Sequence, residues 1–206
     1  MTLQDQWRTT WRDLGLPEPA ADVLQALLAR YGEAHRAYHT AQHLAECFAR
    51  FAAARPLAAH PGEVQLALWY HDAIYDPHST RNEADSAAWA ARVLAAAGAA
   101  PEVVQRIGDL ILATRHRAEP ATADARLTVD IDLSILGAPP DRFAEYERQI
   151  RVEYGFVPEA DFRSARARIL RGFLERPAIY GTAFFHQALE RPARENLQRS
   201  LGQLGA

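Results

Sequence analysis

The segment LALWYHDAIY, residues 66–75, constrains this chain more than any other. Its flanks make it apolar nearly all round, so it reads as a helix buried on all sides. Yet His71 and Asp72 stand in its middle. A buried, uncompensated carboxylate costs on the order of several kcal/mol or takes up a proton. An ion pair to arginine, a hydrogen-bonded polar network or a metal ion would each resolve this. Taken alone, the dipeptide reads as a satisfied core pair, because two residues hold no ion specifically.

The rest of the chain predicts an all-α bundle of about 8–10 helices. Ala, Leu, Arg, Glu and Gln dominate, all good helix formers, and Gly or Pro punctuates them at intervals. The pattern places helices over 3–14, 18–31, 39–54, 62–75, 82–97, 101–115, 122–136, 141–154, 159–175 and 185–202. Pro101 falls at an expected N1 position and Asp141 at an expected N-cap. Residues 101–115 carry Val103, Val104, Ile107, Leu110 and Ile111 at helical spacing. LTVDID, 127–132, is the one strand-like stretch. The expectation is one domain over 1–206, with a core at about 30–140 and the helices of 141–206 packed on it.

Composition excludes several function classes. A formal net charge of −3 gives no electrostatic case for a nucleic-acid polymer or an anionic membrane. Histidine aside, all of the basic side chains are arginine. Cys47 is the only cysteine, so no internal disulfide or thiolate cage forms. The start of the chain carries no signal-like hydrophobic stretch, and no apolar run approaches the ~20 residues of a membrane helix. The expected location is the cytoplasm.

The other histidines and acids change the reading of His71 and Asp72. YHTAQH, 38–43, sets His39 and His43 four apart, one turn of a helix. TVDIDLSILG, 128–137, embeds Asp130 and Asp132 in apolar sequence. A single metal site would explain all three segments. Histidines with carboxylates suit Mn, Mg, Fe, Co, Ni or Zn better than a soft, thiolate-seeking ion.

The order His43, His71-Asp72, Asp132 in a helical chain resembles the HD-domain superfamily of metal-dependent phosphohydrolases. The resemblance is closest to a small bacterial group described as predicted metal-dependent HD phosphohydrolases. It runs from YHTAQH through HDAIYDP, NEADSA and DIDLSILG to ERPAIY and ARENL, most of the chain. It implies one divalent ion held by His43, His71, Asp72 and Asp132, and a small phosphorylated substrate, a nucleotide among the candidates. Similarity to the Tyr-His-Asn-x-x-His element of cyclic-nucleotide phosphodiesterases implies that His39 is the general acid, although Thr40 replaces the Asn. Asp72 or Asp132 would accept a proton from water. Arg36, Glu83 and His116 are the candidate substrate contacts, and Asp130 a residue orienting a ligand.

Other polar residues get plainer readings. His60 and His186 are surface or packing residues, and His35 a neighbour of the site. The four tryptophans and Cys47 belong to the core. Arg166 and Arg194 either reach the site or brace helices. Two further readings stand beside the hydrolase: a non-catalytic HD module that binds metal or a phosphorylated ligand, and an iron-dependent oxygenase.

Overall fold

The computed structural model describes residues 2–205. The fold is all-helical, with no strand among the described residues. Ten α-helices follow in order: α1 Leu3–Leu14, α2 Ala21–Tyr31, α3 Ala41–Ala54, α4 Pro61–Tyr70, α5 Asn82–Ala96, α6 Pro101–Ala113, α7 Ala123–Asp132, α8 Pro140–Glu153, α9 Glu159–Leu174 and α10 Ala183–Leu204. Two 3₁₀ segments, Arg55–Leu57 and Leu133–Gly137, lie between them. LTVDID is helical. None of these helices is long and apolar enough to cross a membrane.

The chain separates into two compact units, one ending at Asp132 and one beginning at Leu133. In the first, α4 is the central element. Every residue from Gly62 to Tyr70 is buried, and α1, α3, α5, α6 and α7 all pack against it. Apart from the Tyr70 hydroxyl, which is buried without a hydrogen-bond partner, its few polar side chains are bonded to neighbouring elements. Glu63 accepts two hydrogen bonds from Arg106 of α6, at 2.8 and 2.5 Å. Gln65 donates to Asp13 and accepts from Gln6, both on α1. Trp69 Nε1 donates to Thr10 at 3.0 Å, and its ring meets Trp7 edge-on at 5.2 Å.

Both ends of α4 are tied down by residues distant in sequence. The carboxylate of Asp124, on α7, accepts the N–H groups of Ala59 and His60 just ahead of the helix, at 2.8 and 3.0 Å. Tyr31 OH donates to the Trp69 carbonyl in the last turn. Gly62 lies against the end of α1, where a Cβ would stand 2.7 Å from Leu14 N.

The predicted helix over 62–75 ends earlier, at Tyr70. The reason is partly long-range. His71 Nδ1 donates back to Leu68 O at 2.9 Å, and the buried Arg36 guanidinium takes the Asp72 and Ala73 carbonyls. Similar shifts occur elsewhere. The helix expected from 39 starts at Ala41, with Thr40 as N-cap accepting from Gln42 N–H, so His39 precedes the helix. The segment 122–136 is α7 followed by the 3₁₀ turn. Asp141 is not the N-cap of α8; that position is Pro139, with Pro140 at N1.

In the second unit, α10 packs against α9 and the Leu133–Gly137 turn. Asn196 donates to the Leu136 and Ala138 carbonyls, each at 2.9 Å. Arg166 pairs with Glu147, which also accepts from Ser200. Arg194 pairs with Glu190 and donates to the Leu174 and Arg176 carbonyls. Both arginines thus brace helices inside this unit.

Gly62→Ala would force α1 away from α4. We expect a loss of about 1–3 kcal/mol, read as a lower denaturant midpoint with an unchanged slope.

Candidate metal centre

All three acid- and histidine-bearing segments of the first unit meet. His43, in the first turn of α3, and His71, at the end of α4, are buried and face each other with their Nε2 atoms 3.1 Å apart. Asp72 Oδ2 lies 2.9 Å from His71 Nε2 and 3.5 Å from His43 Nε2. Asp132 Oδ1, from the last residue of α7, lies 3.2 Å from His43 Nε2 and 3.6 Å from His71 Nε2. The carboxylates keep some exposure, 17% for Asp72 and 15% for Asp132, so one side of the cluster is open.

The donor chemistry fits a divalent cation. His71 Nδ1 must carry the proton it donates to Leu68 O, which leaves Nε2 with a lone pair in the neutral ring. His43 Nδ1 meets the Tyr38 hydroxyl at 2.9 Å. With the proton on Nδ1, this ring too turns a lone pair inward. Two lone pairs and two carboxylate oxygens then converge with no proton among them. Ligand atoms about 2.1 Å from an ion lie about 3.0 Å apart on neighbouring vertices of an octahedron, and about 3.4 Å on a tetrahedron. The observed separations of 2.9–3.6 Å span those values.

Without an ion, protons supply the positive charge. Burial by itself would lower the His71 pKa, but the Asp72 and Asp132 carboxylates hold it well above the usual histidine value. Burial would raise Asp72; the charge of His71, then those of His39 and His43, instead keep it below the ordinary aspartate range. For Asp132, burial is outweighed by hydrogen bonds from His116, His43 and His71.

One donor atom each from His43, Cys47, His71 and Asp132, a set without Asp72, lie within 4.8 Å of one another, although the sequence suggested only a core residue at Cys47. Its Sγ lies 3.8 Å from His43 Nδ1 and 3.7 Å from Nε2. Near-equal distances place the sulfur beside the ring and off the Nε2 lone-pair axis. Burial, followed by the charges of Asp132 and Asp72, pushes the thiol pKa well up. On that geometry Cys47 packs against the His43 ring, while Asp72 Oδ2, 2.9 Å from His71 Nε2, is the alternative fourth candidate donor.

The surrounding residues take distinct positions. His116 Nε2 meets Asp132 Oδ2 at 2.9 Å, leaving Oδ1 toward the histidines. His116 thus orients a ligand, where the sequence suggested a substrate contact. Its backbone is left-handed, with φ +56°. The His39 ring stacks on Tyr75 at 4.0 Å, with its centroid 6.1 Å from that of His43. Glu83 pairs with Arg115 at 3.4 Å. Asp130 is buried. His60 bonds to Asp124, His186 is exposed, and His35 meets the Tyr75 carbonyl at 2.8 Å.

Arg36 departs most from its expected role. Its side chain is fully buried. It donates to the carboxylate of Glu33 and to the carbonyls of His39, Asp72 and Ala73. Those bonds join the loop carrying His39 to the turn carrying His71 and Asp72, and no free face is left for a phosphate. Sequence reading overlooked Tyr38 and Tyr75, which hold His43 and His39. Their adjacency to the motif histidines in YHT and HDAIY was the available signal.

Comparison with family models, curated proteins and solved structures gives no match to this chain.

Two outcomes follow from this geometry. Arg36→Lys keeps a charge but not the fork, so metal affinity measured by chelator competition should fall by about 10- to 100-fold. The second concerns pH. A raised His71 pKa contributes stability that is complete below an unfolded histidine's value, about 6.5, and lost as pH rises through the higher folded value. The depressed aspartates contribute stability that is present above their unfolded values and lost as pH falls through the folded ones. Because metal replaces the His71 proton, the rise in Tm on adding Mn²⁺ should grow with pH above neutrality. A Tm gain that shrinks over that range would contradict the ligand assignment.

Proposed function

We propose that this protein is a metal-dependent phosphohydrolase acting on a small phosphorylated metabolite, with nucleotides among the candidates. The supporting observation is the convergence of His43 Nε2, His71 Nε2, Asp72 Oδ2 and Asp132 Oδ1 on one partly open point. The order and spacing of these residues resemble the HD-domain superfamily, which adds to the same reading. A divalent ion in this set supplies charge against a phosphoryl oxygen and acidifies a water.

The protein's own residues do the rest. Asp72 has a partly exposed carboxylate beside the histidines, and we assign it the acceptance of the water proton. His39 lies near enough to Asp72 for its charge to be felt there. It donates a proton to the departing oxygen, a task suited to imidazole near neutral pH. Tyr75 holds the His39 ring by stacking. His116 keeps Asp132 turned toward the histidines.

The test is a panel of nucleotides and sugar phosphates with Mn, Mg, Co, Ni and Fe in parallel. Asp72→Ala should lose both bound metal and hydrolysis. His39→Gln should keep its metal and lose about 10²- to 10⁴-fold in kcat. Full metal loading with no hydrolysis anywhere in the panel would favour a non-catalytic metal- or phospholigand-binding module. Equal kcat in His39→Gln would remove His39 from the proton transfer.

A further inference from the structure

A cavity lies within the first unit, with none of the four candidate metal ligands in its wall. Its volume is about 510 Å³, within the range of small-molecule sites. Leu110, Leu112 and Ala113 of α6 form one apolar side, and Pro120 and Ala121 of the α6–α7 loop form another. The start of α4 and the start of α7 close it.

Its charged lining is asymmetric in what remains to be bonded. Both Glu63 oxygens accept from Arg106. Both Asp124 oxygens accept N–H groups at the start of α4. Asp109 accepts from Gln105 and is exposed, as is Glu119. On the basic side, Arg106 gives Glu63 only Nε and Nη2, so Nη1 is left over. Arg115 meets Glu83 through Nε alone. Arg117 has no ion-pair partner among the described residues. The buried acids are thus committed, while three guanidinium groups retain N–H donors around an apolar wall.

We propose that this cavity binds a small amphipathic anion, an apolar body with a carboxylate, sulfonate or phosphate head, and that its occupancy is coupled to the metal centre. Arg115 and Arg117 line the cavity, and between them stands His116, whose Nε2 holds Asp132. The His116 backbone is in the left-handed region, a conformation uncommon for non-glycine residues. An anion engaging both arginines fixes the loop on either side of His116 in the conformation that reaches Asp132. Anion and metal then favour the same loop conformation, and each tightens the other by one shared factor.

The probe is 8-anilinonaphthalene-1-sulfonate, titrated by fluorescence into the full chain with and without Mn²⁺. Saturating Mn²⁺ should tighten the dye by about fivefold or more, and the dye should tighten Mn²⁺ equally. Arg117→Glu changes an exposed side chain and should weaken the dye about tenfold or more. Ala121→Trp, which fills the cavity, should abolish saturable binding. The uncharged N-phenyl-1-naphthylamine should bind more weakly than the sulfonate. His116→Ala should bind the dye but lose the coupling. Unchanged dye affinity in both Arg117→Glu and Ala121→Trp overturns the site, and equal binding of the neutral dye overturns the anion. Absence of mutual tightening, or its survival in His116→Ala, overturns the link through His116. No step reads catalysis, so these results stand apart from the hydrolase reading.

Discussion

A helix with no solvent-facing side leaves its polar groups one recourse, which is to bond to the elements around them. For α4 that constraint organises the first unit. Glu63 requires Arg106, Gln65 requires Asp13 and Gln6, and the N–H groups at its start require Asp124. Together these bonds tie the helix to α6, α1 and α7 in turn. The same constraint governs its far end, where His71 and the Arg36 guanidinium take up carbonyls in and just after the last turn. The candidate metal centre begins where the helix stops.

The cluster there carries the highest electrostatic stakes in this unit. Two imidazole lone pairs and two carboxylates share a largely buried space open on one side, and their mutual repulsion grows as water leaves. Either a proton on His71 or a divalent ion satisfies them, so pH and metal compete for one role. Around this core, Tyr38, His116, Tyr75 and Arg36 each hold a group of the centre or its immediate surroundings. Such outer contacts fix ring orientation and ligand basicity. Arg36 does so through four separate bonds, and burying its charge is tolerable because Glu33 and three carbonyls surround it.

Much of the fold was legible in the chain because helix formation is largely local. Ala- and Leu-rich runs, with Pro and Gly between them, marked all ten helices. The ends were less legible, since distant partners set them. Nothing inside 62–75 signals a stop at Tyr70; the bonds that end the helix come partly from Arg36, more than thirty residues upstream. LTVDID alternates like a strand, yet it lies within a helix that packs against α3, α4 and α6. Arg36 looked like a substrate cation because position near a motif says nothing about burial. Cys47, one turn beyond His43, was read as core and is buried; the sulfur's distances from the two ring nitrogens needed the rings to be positioned.

By itself, then, the sequence determined an all-helical chain, a central apolar helix, and the short set of imidazoles and carboxylates able to compensate a charge within it. Propensity, periodicity and residue chemistry are properties of segments, and segments suffice for them. The tertiary structure decided which nitrogens face which oxygens, which histidine orients a ligand, and that one arginine braces the centre from within. Those outcomes depend on contacts between residues tens of positions apart, and no local pattern encodes the distance between two side chains on different helices.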